Sequence, residues 1–174
     1  MISKVMSRIR VIRYRLMKNI QIDLNASIGS NCEIKAFRGS ISLNNSIIRS
    51  GGKIVTNGGK IVFGRNVFIN HNFVMYCHES INIGSNVQIG PNVVIYDHDH
   101  TFCNEYIDKD KFTKQPVNIK DNTWIGANVT ILKGVTIGEH CVIGAGSLIT
   151  HSIPSGSIVY DKRNQIINKI AGGK

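Results

Sequence analysis

The sequence predicts an all-β fold: a parallel β-helix of hexapeptide repeats with a short N-terminal amphipathic helix and one protruding loop. Three observations predict it. Isoleucine returns every six residues at Ile119, Ile125, Ile131, Ile137, Ile143 and Ile149. Asparagine recurs inside these units, at Asn31, Asn66, Asn86, Asn92 and Asn128. Aromatic residues make up only 7% of the chain while glycine reaches 17 residues, which suits stacked β-branched side chains better than large rings. An α-helix would set residues six apart roughly 240° around its axis. Plain two-residue alternation does not single out every sixth position either, so neither simpler period explains the pattern.

The elements follow in order as a basic helix over residues 1–20, a coil over 21–160 with a loop at 96–118, and a tail over 161–174. In the helix, Ile2, Val5, Met6, Ile9, Ile12, Leu16 and Ile20 keep a three-and-four spacing that lines one face. Lys4, Arg8, Arg10, Arg13, Arg15 and Lys18 cover much of the rest without a single acid, so six of the ten net positive charges sit in this segment. Two readings stand for it. A solenoid needs a cover on its terminal rung, and a basic amphipathic helix also suits an anionic membrane surface or acidic acceptor.

The coil units read IGSNVQ, IGPNVV, IGANVT, IGEHCV and IGAGSL. Each gives a short strand and then a corner, where Asn and Gly tolerate left-handed backbone. Three units make one triangular coil. Upstream the same step is read through Ile28 and Ile34, Ile41 and Ile47, and Val62, Phe68 and Val74. Between Ile95 and Ile119 the repeat vanishes into YDHDHTFCNEYIDKDKFTKQPVN, a polar stretch expected to leave the coil as a loop. After Ile153 and Pro154 the repeat ends, and the tail adds Lys162, Arg163 and Lys169.

Composition excludes several classes. Cys32, Cys77, Cys103 and Cys141 lie far apart with no C-x-x-C pair, which fits a reduced, cytoplasmic protein without disulfides. No apolar run is long enough to span a bilayer, and the arginines near the start break any signal-peptide core. Nucleic acid is not expected as a partner, since no recognised module is present and stacking aromatics are few.

The densest chemistry is Asp97-His98-Asp99-His100, where the repeat breaks. A histidine supported by carboxylates can take a proton from a hydroxyl as a general base. Histidines between aspartates are also a metal-ligand pattern, but zinc wants three or four converging donors. His71, His78 and His140 fall elsewhere on the coils without a spacing that converges, so no metal is expected.

Four stretches carry a resemblance: Gly64-Arg65-Asn66-Val67-Phe68-Ile69-Asn70-His71-Asn72, IGSNVQIGPNVVIYDHDH, Asn122-Thr123-Trp124-Ile125-Gly126-Ala127-Asn128-Val129, and VTIGEHCVIGAGSLITHSIP. Across roughly residues 56–160 the chain resembles the maltose/galactoside O-acetyltransferase group of hexapeptide acyltransferases, and within it the bacterial polysaccharide O-acetyltransferases. The resemblance implies a left-handed coil, which the repeat alone does not fix and which runs against the usual crossover rule. It implies a homotrimer with active sites between subunits, acetyl-CoA as donor, and a sugar or polysaccharide hydroxyl as acceptor. The family's catalytic histidine stands seven residues after its P-x-V, which falls on His100, with His98 as the alternative. Asn70 falls on the family's acceptor-binding asparagine, Asn72 one alternation further on, and Trp124 on the active-site wall. Ala127, Ala145 and Thr150, with His151 beside it, match positions along the pantetheine arm of coenzyme A.

Two departures qualify the resemblance. Cys77-His78-Glu79 stands where many members grip a maltose or galactoside, and Asp161-Lys162-Arg163-Asn164-Gln165 replaces the usual tail. A different acceptor is therefore expected, with Lys162 or Arg163 at the adenine and phosphate end of the donor. The expected function is acetyl-CoA-dependent O-acetylation of a surface-polysaccharide unit. A xenobiotic (antibiotic) acetyltransferase and a metal-dependent carbonic anhydrase on the same fold are the alternatives.

Overall fold

A computed structural model describes residues 2–103 and 106–162. After helix α1 (Ile2–Arg15) the chain winds around three parallel sheets of six, seven and six strands, a prism of about seven coils. The first face begins at Ile20–Ile22, the second at Ser27–Ile28 and the third at Glu33–Phe37, and every later coil repeats that order.

Each strand points alternate residues inward, and the inward ones stack in register. Ile28, Ile48, Ile69, Ile89, Ile125 and Ile143 form the column of the second face. Ile34, Ile54, Met75, Ile95, Ile131 and Ile149 form that of the third. All twelve are buried, and each such side chain contributes about 1.5–3 kcal/mol by leaving water.

Upstream of the loop the six-residue step falls on inward positions at Ile28, Ile34 and Ile41 and again at Ile83, Ile89 and Ile95, but between Ile47 and Val74 the sequence reading is one residue out of register. Ile48, Ile69 and Met75 fill the core, while Ile47 is 45% exposed and Val62, Phe68 and Val74 are only half-buried on the outer surface. The cause is coil length. Ile34 pairs with Ile54 and Ile69 with Ile89, twenty residues apart, and Ile48 with Ile69 and Ile54 with Met75, twenty-one apart, whereas Ile125 pairs with Ile143 and Ile131 with Ile149, the eighteen of three hexads. The extra residues sit at the corner between the third and first faces, where Arg38 takes a φ of 48° and Gly58 a φ of 92°.

The five corner asparagines all adopt positive φ, between 53° and 58°. Their side chains also bind one another across coils: the Asn66 amide donates to Asn86 at 3.0 Å, Asn86 to Asn122 at 3.1 Å and Asn92 to Asn128 at 3.0 Å. At the edge between the second and third faces, glycine is required by proximity. A Cβ on Gly126 would lie 2.7 Å from the Ala145 nitrogen.

The helix is shorter than expected, ending at Arg15, and Ile20 belongs to the first strand after Asn19 breaks the chain direction at φ 66°. It does cover the first coil, but not with its apolar stripe. Val11 and Tyr14 are the buried side chains. Arg10 Nε donates to the Ile28 carbonyl at 2.8 Å, Tyr14 Oη to Cys32 at 2.6 Å and Arg15 to Ile22 at 2.7 Å. These donors meet backbone acceptors that have no coil above them.

The expected loop is an antiparallel hairpin of His98–Cys103 with Tyr106–Lys114. It rises from the edge between the third and first faces. The Gln115 N–H donates to the Asp97 carbonyl at 2.9 Å, and an ion pair joins Asp99 to Lys133 on the coil below.

Candidate active site

Asp97 is the last residue before the hairpin, and its carboxylate is fully buried. It accepts hydrogen bonds from the His78 N–H at 2.9 Å, the Glu79 N–H at 2.7 Å, the Cys77 thiol at 3.1 Å and His98 Nδ1 at 2.9 Å. Burial alone would raise its pKa, but these donors, His98 first, bring it down to about 2. The Cys77 thiol is pushed up to about 12 by burial and then by the neighbouring Asp97, so it stays protonated and donates.

A proton on Nδ1 facing Asp97 leaves the Nε2 of the neutral His98 ring as an acceptor. The His98 ring lies 4.1 Å from that of His78 and 5.4 Å from Phe112, with only 11% of its side chain exposed. Burial, and then nearby His98, holds His78 below the ordinary histidine value. His100 follows two residues on, exposed, its ring 4.7 Å from Phe112. Its neighbour Asp99 turns to Lys133. Asn57, Tyr76, His78, Tyr96, His98, His100 and Phe112 together line an open cavity of about 350 Å³.

Spacing alone set His78 apart from the Asp97–His100 stretch, and the structure brings its ring beside that of His98. It also adds Tyr76, Tyr96 and Phe112. The signal was present, since Tyr76 pairs directly with Tyr96, one coil away. Among the described residues no group of three His, Cys, Asp or Glu side chains is disposed to hold a metal ion.

The other expected residues fall mainly elsewhere. Asn70, Asn72, Ala127 and Ala145 follow strands of the second face and so occupy the edge between the second and third faces. Asn70 Oδ1 accepts the His71 N–H at 2.9 Å. Asn72 has a φ of 58° and is a corner asparagine like the five above. Trp124 stands 57% exposed on the second face, between Gln88 and Val142 of the adjoining coils. Lys162, exposed, follows the last strand of that face. Thr150 and His151 share the hairpin's edge, two coils further on, joined Oγ1 to Nδ1 at 2.8 Å. Arg163 and Lys169 lie outside the described residues. One chain thus carries His78, His98, His100 and His151 on one edge of the prism and Asn70, Asn72, Ala127 and Ala145 on another.

Residues 116–151 match the model of the bacterial transferase hexapeptide (six repeats). The chain is 36% identical over 113 residues to the galactoside O-acetyltransferase of Escherichia coli K12, a match covering 65% of this chain and 56% of that one. It therefore spans little more than half the length of that relative. A hexapeptide-repeat acetyltransferase of Vibrio cholerae complexed with acetyl coenzyme A superposes with a TM-score of 0.62 at 26% identity, covering 86% of this chain and 69% of that one. A maltose O-acetyltransferase of Clostridium difficile shares the fold, with a TM-score of 0.54 at 24% identity over 90% of this chain and 80% of that one. By its repeat and its fold the chain is similar to hexapeptide-repeat proteins, among them proteins named as acetyltransferases.

Proposed function

We propose that the chain is an acetyl-CoA-dependent O-acetyltransferase acting on a sugar hydroxyl, of the kind found in a surface polysaccharide or its precursor. The observation that carries this reading is the hairpin-borne pair His98 and His100, rooted on buried Asp97 beside an open cavity. His100 is the general base. It is the exposed histidine of the pair, within reach of an incoming hydroxyl, and the resemblance falls on it. It takes the hydroxyl proton as the oxygen attacks the thioester carbonyl. The imidazolium then returns that proton to the departing thiolate, leaving an acetyl ester and a free thiol. Asp97 and His98 hold the hairpin root beneath it. A second reading has one observation in its favour: His98 is the ring that a carboxylate orients, so it is the alternative base.

The donor suits the edge between the second and third faces. Gly90, Ala127, Gly126 and Ala145 keep that edge narrow, and a Cβ on Gly90 would lie 2.7 Å from the Ala127 nitrogen. A pantetheine arm can approach backbone there, with exposed Lys162 near its phosphates. That edge and the histidine edge are separated by the third face within one chain. The separation of the two edges within one chain supports a homotrimer, in which one chain's hairpin meets the next chain's alanine column and Trp124 and Asn70 are contributed across the interface.

The test incubates the full chain with acetyl-CoA and a panel of sugars, sugar nucleotides, oligosaccharides and antibiotics, reading thiol release together with acetyl mass gain. Transfer to a sugar hydroxyl is expected, unaffected by chelator. His100→Ala should slow turnover by about 10²–10⁴-fold. Transfer to antibiotics alone would move the reading to a xenobiotic acetyltransferase. A dead His98→Ala beside an active His100→Ala would move the base.

A further inference from the structure

The way α1 is seated leaves a surface that the transferase reading does not use. Seen down the helix at about 100° per residue, Ser7, Arg10, Val11 and Tyr14 share the side turned to the first coil. Val5, Ile9, Ile12 and Leu16 lie within about 60° of one another on the opposite side. They are between 52% and 83% exposed. Leu24 of the first coil, 62% exposed, extends the patch and lines one shallow cavity with Ile12 and Arg8. Arg13 borders the stripe on one flank and Lys4, Arg8 and Arg15 on the other, all exposed, and the helix holds no acidic residue.

An apolar stripe between two basic flanks is the pattern of a helix lying in a membrane interface, with its stripe among the acyl chains and its cations at the headgroups. Here the fold strengthens the argument. The helix covers the coil through hydrogen bonds and two buried side chains, so the stripe is not needed for capping. We infer that the outward face of α1 docks the protein on an anionic lipid bilayer. The charge complementarity selects that occupant: the flanking cations favour anionic headgroups, and an apolar stripe has little to gain from a soluble acidic polymer. This inference stands independently of the transferase reading.

Removing residues 1–20 would be a poor test, because it strips the donors from the Ile22, Ile28 and Cys32 carbonyls. Substitutions on the outward face leave those bonds intact. The experiment is sedimentation of the full chain with vesicles of one part phosphatidylglycerol to two parts phosphatidylcholine, and with phosphatidylcholine alone. Circular dichroism and thermal melts check each variant. Binding should require the anionic lipid and weaken strongly near 1 M salt, where the screening length is roughly 3 Å. Each cation near such a surface is worth roughly fivefold in affinity, so Arg8→Glu with Arg13→Glu should cost at least about twentyfold. Ile9→Asp with Ile12→Asp should abolish binding while the fold persists. Equal binding to neutral vesicles, wild-type binding by either double variant, or no binding by the wild type overturns the inference. So does light scattering in which the stripe variants dissolve a larger wild-type assembly, since the stripe would then be a contact between protein copies.

Discussion

Asp97→Asn isolates the charge at the centre of the site at almost constant shape. The wild-type carboxylate accepts from the His78 and Glu79 N–H groups, the Cys77 thiol and His98 Nδ1. Its pKa falls from 3.8 to about 2, which corresponds to about 2 kcal/mol of folded-state stabilisation of the ionised form. An asparagine has one acceptor oxygen. Its NH₂ must face either His98 Nδ1 or the Glu79 N–H, and a donor set against a buried donor costs a further 1–3 kcal/mol or so. The expected loss is therefore about 3–5 kcal/mol, or roughly 10 °C in melting temperature for a chain of this size. The folded pKa lies below the unfolded one, so the charge contribution is complete above about pH 4 and fades as the pH falls toward about 2. Denaturant titrations of both proteins at one fixed concentration should give a wide gap at pH 7 that narrows near pH 2.5. A gap under about 1 kcal/mol at pH 7, or one independent of pH, would refute the account of Asp97 as an ionised, hydrogen-bonded anchor.

Other outcomes test other parts of the structure. Ile48→Ala should cost about 2–5 kcal/mol and Ile47→Ala under about 1 kcal/mol, measured by urea unfolding; the reverse order would mean that Ile47, not Ile48, faces the core. Tyr14→Phe removes only the hydroxyl that caps the Cys32 carbonyl and should cost about 1–2 kcal/mol by the same assay. Lys133→Ala should leave the melting temperature nearly unchanged, since its ion pair with Asp99 is partly exposed, yet quicken limited proteolysis within the hairpin. Light scattering should return three times the chain mass, and a fully active monomer would remove the basis for an interchain site.

The fold was legible because its signal is one-dimensional. Six isoleucines at an even spacing and five corner asparagines specify a strand, a corner and a stack without any long-range information. Legibility failed where the period changed. Before the hairpin two or three extra residues per coil shift the inward position, and a reader holding to six picks Ile47, Val62, Phe68 and Val74, each one residue before an inward position at Ile48, Phe63, Ile69 and Met75. A shift of one residue turns a strand over. The helix was ambiguous for a different reason. Its apolar stripe is plain in the sequence, but the side that docks is held largely by hydrogen bonds from Ser7, Arg10, Tyr14 and Arg15 to the first coil, and hydrophobic periodicity does not register such contacts.

The active-site cluster was half legible. Two histidines alternating with two aspartates announce themselves, but which carboxylate serves which ring does not follow from adjacency. Asp99 leaves His100 for Lys133, and Asp97 reaches His98 while the rest of its capacity is taken by the preceding coil. His78 looked remote because twenty residues separate it from His98. Twenty is the length of that coil, however: Val74 pairs with Val94, Met75 with Ile95 and Tyr76 with Tyr96. The stretch Tyr76-Cys77-His78 must therefore stack on Tyr96-Asp97-His98. A carboxylate at position 97 is then brought against the backbone N–H groups of residues 78 and 79 by the period alone, and the donors it finds there explain why the repeat can break at that residue without unravelling the coil.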